Sequence, residues 1–203
     1  MTEQTLLFFE DFFQVPFPFA KYDTVFCPEF RISGMENVGL VNMTDRHFKP
    51  KQESTEESLA LFYKVLVHEA SHMWFGDLVT MKWWDDLWLK ESFADYSAGE
   101  CLQALQTKFK KDIKNPEQHL HNYFSAAVVE DKAVTTHPVQ VTVSNTVDAV
   151  NVFDKICYRK GARFVRQIGY FVGEEVLREG MKDYFTTFGF KVTELSDFMG
   201  CFQ

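Results

Sequence analysis

The pentapeptide HEASH, at residues 68–72, is followed after eighteen intervening residues by Glu91. On an α-helix, residues i and i+4 lie on one face about one turn apart, so both imidazoles can reach one metal ion. Zinc binds imidazole nitrogens and carboxylate oxygens, and a catalytic zinc site keeps three protein ligands and one open position. Glu69 lies beside the first histidine, where it can act as a general base without being a ligand. The pattern therefore predicts a zinc hydrolase whose metal is held by His68, His72 and Glu91.

The flanking residues predict that both parts of this pattern lie on helices. Ser54 and Glu57 fit a capping box, which predicts the start of the first helix. Apolar residues then recur at helical spacing, so one face of this helix should be buried: Leu59, Phe62, Leu66 and Phe75. A second helical pattern, roughly from Leu89 to Leu105, presents Glu91 near its start. A short motif of this kind also occurs by chance on solvated helices, and the predicted burial favours the zinc interpretation.

The composition indicates one globular domain without a nucleic-acid partner. The chain has 203 residues, a length typical of one domain that buries roughly 70% of its unfolded surface. The net charge of -8 argues against nucleic acid or an anionic membrane as a partner. No apolar run is long enough to predict a membrane span, and residues 1–13 lack the basic start of a signal peptide. These features predict a cytoplasmic protein with no membrane partner.

Four cysteines are widely spaced, at Cys27, Cys101, Cys157 and Cys201. Such spacing is not typical of a zinc finger and favours reduced thiols, although two disulfides stay open. Val25 to Met43 mixes β-branched and aromatic residues with turn formers and predicts strands, whereas helical patterns dominate after residue 55. This order predicts an α+β fold with a small β-containing amino-terminal lobe and a mainly helical carboxy-terminal lobe.

Three motifs together resemble one known family. Residues 68–96, HEASHMWFGDLVTMKWWDDLWLKESFADY, resemble the zinc-binding stretch of the M1 family of zinc aminopeptidases, which are gluzincins. Upstream, SGMEN at residues 33–37 resembles the family's Gly-x-Met-Glu-Asn exopeptidase motif. Downstream, CYRKGA at residues 157–162 resembles its Tyr-x-Lys-Gly-Ala motif. FPFAKYD at residues 17–23 and the dipeptide His137-Pro138 also fit family landmarks, so the resemblance covers nearly the whole chain in order.

The resemblance implies a thermolysin-like catalytic domain over residues 1–203 with one Zn²⁺ per chain. It implies an aminopeptidase acting on peptides with a free amino terminus, in which Glu69 takes a proton from the attacking water activated by the metal. Tyr158 would donate a hydrogen bond to the developing oxyanion, and Glu36 would bind the α-amino group of the substrate. The remaining residues of the upstream motif would shape the pocket for the first residue: Ser33, Gly34, Met35 and Asn37.

Some positions keep alternatives or depart from the family. Taken singly, Glu36 suits an exposed strand carboxylate and Tyr158 suits a buried core tyrosine, and only the combination of motifs favours the site roles. Asp95 lies four residues after Glu91, and it either orients a ligand imidazole or is a surface or salt-bridged carboxylate. Lys90 stands where the family usually has asparagine, and we expect its ammonium group to point to solvent because burying a charge is costly.

Ser92 stands where the family usually has glycine, and Ser33 where the exopeptidase motif usually begins with glycine. The resemblance also implies that the family's flanking amino-terminal β domain and carboxy-terminal helical domain lie outside residues 1–203. Without them we expect exposed apolar surface and self-association. Two other interpretations stay open: a thermolysin-type endopeptidase or epoxide hydrolase relative, and a truncated, inactive fragment that serves only in interactions. The motif around Glu36 argues against the endopeptidase, and the intact ligands and base argue against the inactive fragment.

Overall fold

The computed structural model describes residues 1–106 and 116–202, and within these ranges the chain is mainly helical with two small sheets. The elements in chain order are α1 (Thr2–Phe13), β1 (Asp23–Cys27), β2 (Gly34–Met35), β3 (Leu40–Thr44), α2 (Glu56–Ser71), β4 (Val79–Met81), α3 (Leu87–Gln106), α4 (Pro116–Asp131), α5 (Thr146–Ala149), a π-helix (Ile156–Lys160), α6 (Gly161–Val172), α7 (Glu174–Phe188), β5 (Lys191–Thr193) and α8 (Leu195–Gly200). The predicted mixture of helices and a small sheet is confirmed.

One local prediction, the start of α2, needs correction. The capping box from Ser54 to Glu57 is wrong, because Thr55 is the residue before α2 and its Oγ1 accepts a hydrogen bond from Ser58 N at 3.1 Å. This bond satisfies one of the free N–H groups of the first turn, so the helix begins one residue later than predicted. Later in the chain, the π-helix at Ile156–Lys160 leads directly into α6.

The first sheet brings the upstream motif to α2, the helix that carries the predicted histidine ligands. Its central strand is β3, which pairs in parallel with β1 and antiparallel with β2, where Gly34 lies opposite Met43. The edge strand β2 contacts α2 so closely that a Cβ atom built on Gly34 would lie 2.2 Å from Glu69 Oε1. Glycine therefore lets the backbone of β2 approach the Glu69 carboxylate.

The core holds α2 and α3 together. The second half of α2, from Lys64 to Ser71, is buried on all faces, and α3 packs directly against it. Phe9 and Phe13 of α1 are fully buried, with ring centroids 5.9 and 5.4 Å from that of Trp74. Burying a phenylalanine side chain stabilises a fold by roughly 1.5–3 kcal/mol. The aromatic side chains of α1 therefore stabilise the core that contains α2 and α3, the two helices that carry the predicted metal ligands.

The outer surface bears on two further predictions. All four cysteines are free thiols, as the predicted reduced state requires. Two aromatic side chains near the end of α6 are largely exposed, Tyr170 at 88% and Phe171 at 75%, and they supply apolar surface of the kind expected for self-association. Among the described residues, no helix is both long and apolar enough to cross a bilayer.

Candidate metal centre and active site

The three predicted metal ligands converge at one buried point. His68 Nε2 and His72 Nε2 are 3.0 Å apart, and Glu91 Oε2 is 3.3 Å from each of them. Ligand atoms that share a tetrahedral zinc at 2.0–2.1 Å lie about 3.3 Å from one another. Glu91 Oε2 is buried and accepts no hydrogen bond from any residue that the structure describes. The donor set and its spacing therefore fit one zinc ion.

Both imidazoles are oriented through their other ring nitrogen. His72 Nδ1 donates to the backbone oxygen of Phe75 at 2.9 Å, and His68 Nδ1 lies 2.8 Å from Asp95 Oδ1. The Phe75 carbonyl can only accept, so His72 carries its proton on Nδ1 and leaves the Nε2 lone pair toward the other ligands. The Asp95 carboxylate favours the same tautomer of His68 by its charge, since their contact lacks hydrogen-bond geometry. This is the arrangement that metal-binding histidines require.

A buried network fixes Asp95 in place. Lys64 Nζ donates to Asp95 Oδ1 and, at 2.6 Å, to the Tyr123 hydroxyl, which in turn donates to Asp95 Oδ2 at 2.9 Å. Burial alone would raise the pKa of Asp95, but the Lys64 ammonium outweighs it and holds that pKa below its usual range. The structure therefore combines two of the roles left open for Asp95, which lies beside His68 Nδ1 and is also salt-bridged to Lys64. Its complete burial excludes a surface position.

Glu69 lies between the metal ligands and the upstream motif. Its side chain is buried, and burial raises the pKa of its carboxyl group to about 7. One potential ligand atom from each of Glu36, Glu69 and His72 lies within 4.8 Å of the other two. The predicted base and the predicted amine anchor are thus neighbours at the same buried point.

Tyr158 is presented by the π-helix at Ile156–Lys160. Its ring stacks on His68 with 5.9 Å between centroids and 18° between planes. Burial, with a smaller contribution from the Glu91 carboxylate, raises the pKa of its hydroxyl group above the usual value. Tyr158 therefore keeps its proton at neutral pH and remains a hydrogen-bond donor beside the metal ligands.

Three side chains hold that π-helix in position. Asp154 Oδ1 accepts hydrogen bonds from the backbone N–H groups of Ile156 and Cys157, each at 2.9 Å. His137 Nε2 lies 2.6 Å from the other carboxylate oxygen of Asp154, which gives the His137-Pro138 landmark a structural role. Ser92 Oγ, on α3 directly after the third predicted ligand, donates to the Cys157 carbonyl at 2.5 Å. The tyrosine-bearing turn is thereby tied to the helix that carries Glu91.

The predicted site residues share one cavity of about 650 Å³, with one exception. Those that line it are Ser33, Gly34, Met35, Glu36, His68, Glu69, His72, Glu91 and Tyr158. Asn37 lines an adjoining cavity of about 310 Å³ instead, and its Nδ2 donates to Asn42 Oδ1 of β3 at 2.7 Å. Asn37 therefore links the end of the SGMEN motif to β3.

Several lining residues were not found from the sequence. Lys64 precedes His68 by four residues, so the helical spacing that identified the ligands could also have identified it. Tyr123 lies on α4, and the apolar wall comes from Trp84 and Phe153, whose ring centroids are 5.9 Å apart. Tyr123, Trp84 and Phe153 could not be identified from the sequence, because only long-range packing brings them to the cavity.

The prediction that the Lys90 ammonium points to solvent is wrong. Its side chain is 12% exposed, and Nζ donates to Glu36 Oε1 and lies 3.2 Å from Glu91 Oε1. Gly76, at a φ of 122°, leaves room for the Lys90 stem, since a Cβ there would lie 3.2 Å from Lys90 Cδ. Burial alone would lower the pKa of Lys90, but the carboxylates of Glu91 and Glu36 outweigh it and raise that pKa. The two acceptors repay the cost of burying this charge.

Comparison with known proteins identifies the family. Residues 1–203 match the peptidase family M1 domain. Aminopeptidase N of Streptomyces lividans is 37% identical over 205 residues, which cover 100% of this chain and 23% of that protein. Leucyl aminopeptidase of Saccharolobus solfataricus is 33% identical over 97% of this chain and 25% of its own length. Aminopeptidase Q of Acinonyx jubatus is 34% identical over 97% of this chain and 20% of its own length.

The chain thus spans between 20% and 25% of the length of these three relatives. The aligned part includes the metal-ligand pattern and both flanking motifs, because the alignment with the Streptomyces protein covers the whole chain. The chain therefore belongs to peptidase family M1.

Proposed function

We propose that this chain is a zinc-dependent aminopeptidase, which hydrolyses the first peptide bond of peptides with a free amino terminus. One observation carries the proposal: three donor atoms at zinc-like separations share a cavity with Glu36, Glu69 and Tyr158. His68, His72 and Glu91 would hold one Zn²⁺. When bound, zinc supplies Lewis-acid polarisation of a carbonyl group and lowers the pKa of water. The printed names of the relatives, aminopeptidase N and leucyl aminopeptidase, support the same activity.

Glu69 is proposed as the general base. Its carboxylate is buried next to the ligands but is not one of the three converging donor atoms. It would take a proton from the attacking water and pass it to the leaving amine. The close backbone of Gly34 restricts the positions that this carboxylate can adopt, which keeps the base near the reacting atoms.

Tyr158 is proposed to donate a hydrogen bond to the oxyanion that develops on the scissile carbonyl. Its ring stacks on His68, so its position relative to the metal ligands is fixed before substrate binds. A donor held in place in this way stabilises the transition state more than the ground state, because the negative charge appears only there.

Glu36 is proposed to bind the substrate's α-ammonium group. Its carboxylate is buried and lies beside Glu69 and His72, so an amine held there would present the first peptide bond to the base. Met35 lines both cavities, and Ser33 and Gly34 line the larger one, so the motif would form a wall of the first-residue pocket. This anchor explains why cleavage would remove one residue at a time.

We further propose that residues 1–203 form a thermolysin-like catalytic unit. The three-stranded sheet and the start of α2 would form the smaller lobe, and the helices from α3 onward would form the larger one. The cavity would lie between them, because its lining includes residues of β2 and α2 together with residues of α3, α4 and the π-helix. This arrangement agrees with an α+β fold in which strands and helices both supply the site.

Zinc dependence can be tested by metal analysis of the purified chain combined with a leucyl-arylamide assay. We expect about one zinc per chain, loss of hydrolysis on chelation and recovery when zinc is added. His72→Ala should abolish both zinc binding and hydrolysis, whereas His121→Ala, at an exposed position on α4, should affect neither. Full hydrolysis after complete removal of metal would disprove the proposal.

One observation favours a second candidate function, a peptidase that does not require a free amino terminus. The Lys90 ammonium already neutralises Glu36, which weakens the argument that Glu36 excludes internal cleavage. Leucyl-arylamide and its N-acetyl derivative separate the two candidates. An aminopeptidase cleaves only the free amine, whereas efficient cleavage of the acetylated substrate would favour an endopeptidase. A zinc-loaded chain that cleaves neither would favour an inactive interaction fragment.

A further inference from the structure

We propose that Lys90 is an internal competitor for the amine anchor, and that it sets how strongly this site favours a free amino terminus. Its ammonium group is paired with the Glu36 carboxylate, to which the α-ammonium group of a substrate would bind. The inference rests on the proposed function of Glu36 as amine anchor. It adds a specificity-determining residue that lies on α3 rather than in the SGMEN motif.

The geometry makes the competition direct. Lys90 Nζ donates to Glu36 Oε1, and both side chains are largely withdrawn from solvent, 12% and 9% exposed. A substrate ammonium that reaches this carboxylate meets a fixed positive charge at the same place. Because like charges at short distance in a buried site repel strongly, the substrate must share the carboxylate or displace the lysine. Either outcome weakens the binding of a free amine.

A Lys90 side chain displaced from Glu36 has other carboxylates within reach. Nζ already lies 3.2 Å from Glu91 Oε1, while the other oxygen of Glu91 faces the two imidazoles. Asp77 also lines the adjoining cavity with Lys90, and its Oδ2 accepts no hydrogen bond among the described residues. The lysine can therefore move off Glu36 and remain paired with a carboxylate, so displacement is possible at a moderate cost.

A neutral amino terminus does not meet this repulsion. An N-acetylated ligand has no charge to place on Glu36, so its affinity should not depend on Lys90. The lysine therefore reduces the advantage of free amines over blocked ones. Removing its charge should restore that advantage, and keeping the charge on another side chain should not.

The test is calorimetric titration of the full chain with leucinamide and with N-acetyl-leucinamide, neither of which carries a strong zinc-binding group. Titrations use chelator-treated protein and zinc-loaded protein that carries Glu69→Gln, so that leucinamide is not hydrolysed during the measurement. We expect Lys90→Asn to bind leucinamide about tenfold more tightly in both states, with N-acetyl-leucinamide unchanged. Lys90→Arg, which keeps the charge, and Lys82→Asn, at an exposed lysine, should behave like the unaltered chain.

A folded Lys90→Asn variant with unchanged or weaker leucinamide affinity overturns the inference. If this variant does not fold, as judged by circular dichroism, Lys90→Gln is measured in its place with the same criterion. Glu36→Gln separates the two proposals. If Glu36→Gln weakens leucinamide binding but Lys90→Asn does not strengthen it, the competition is disproved and the anchor stands. If Glu36→Gln has no effect with either residue at position 90, both the anchor and the competition are disproved.

Discussion

Each side of the cavity contains a buried lysine, and the two lysines are paired with different kinds of residue. On the metal side, Lys64 is paired with Asp95 and Tyr123, and these residues orient His68 without taking part in binding themselves. On the anchor side, Lys90 is paired with Glu36 and Glu91, which are themselves the proposed amine anchor and a proposed metal ligand. With the proposed roles, a buried cation would stabilise a site when its counterion is a supporting residue, and would compete with the ligand when its counterion is the binding group.

The two sides of the cavity also differ in the secondary structure that carries their residues. The metal side is built on α2 and α3, which pack against each other in the core. The anchor side depends on β2, a two-residue edge strand. A site held by packed helices is a pre-formed ligand set, whereas an ion pair at a sheet edge can reorganise when a substrate enters. The following predictions test this difference, beginning with the largest effect.

Glu69→Gln should have the largest effect, because it removes the proposed base and keeps the shape of the side chain. We expect kcat to fall roughly 10³-fold, within the range for loss of a general base. Zinc content and leucinamide binding should stay unchanged, because neither side of the cavity loses a ligand. Kinetics and metal analysis check this, with Glu179→Gln at an exposed position as control. Loss of zinc from Glu69→Gln would instead assign this residue a structural role.

Tyr158→Phe removes only a hydroxyl group on the metal side. We expect kcat to fall roughly 10²-fold with little change in KM, because the proposed hydrogen bond forms in the transition state. The ring stack on His68 is kept, so zinc affinity should not change. Tyr170→Phe, on an exposed ring, is the matched control. A variant with unaltered kcat would remove Tyr158 from the mechanism.

Asp95→Asn removes the negative charge that faces His68 and Lys64 on the metal side. We expect zinc affinity to fall about 10- to 100-fold, measured by competition with a chromogenic chelator, because His68 loses its charged partner. Lys64 also loses its counterion, and breaking such a buried pair costs about 3–5 kcal/mol of stability in a denaturation experiment. Leucinamide binding to the metal-free protein should be unchanged if the two sides are independent. Coupled loss of zinc and leucinamide binding would contradict the comparison, and Asp11→Asn is the exposed control.

Ser92→Ala should have the smallest effect, because it removes one hydrogen bond between α3 and the Tyr158 turn. We expect a loss of about 1 kcal/mol in the free energy of unfolding, the usual net worth of such a bond. The kcat should fall by less than in Tyr158→Phe, since the tyrosine is loosened rather than altered. Ser196→Ala, at an exposed position on α8, controls for loss of a hydroxyl group. Equal stability and equal kcat would show that Ser92 does not position the turn.

The local part of the site could be predicted from the residues alone. His68, His72 and Glu69 lie within two turns of one helix, and helical periodicity relates their positions before any packing is known. The same periodicity made Asp95 a candidate orienting residue, since it follows Glu91 by one turn of α3. The strands were predictable from the β-branched and aromatic residues between Val25 and Met43, and the helices from the spacing of apolar residues. The predicted start of α2 is one residue early because Thr55, not Ser54, is the cap.

The remaining features depended on contacts between distant segments. The direction of the Lys90 side chain follows from where β2 places Glu36 and from the space left by Gly76, neither of which is visible from its neighbours in sequence. Tyr123 reaches the network through the packing of α4, and the Tyr158 turn is held by Ser92 on α3. The chain's residues thus carry the chemistry of zinc binding through local helix geometry. Its long-range packing places the charges that select a ligand, because electrostatic partners are set by proximity in space rather than by spacing along the chain.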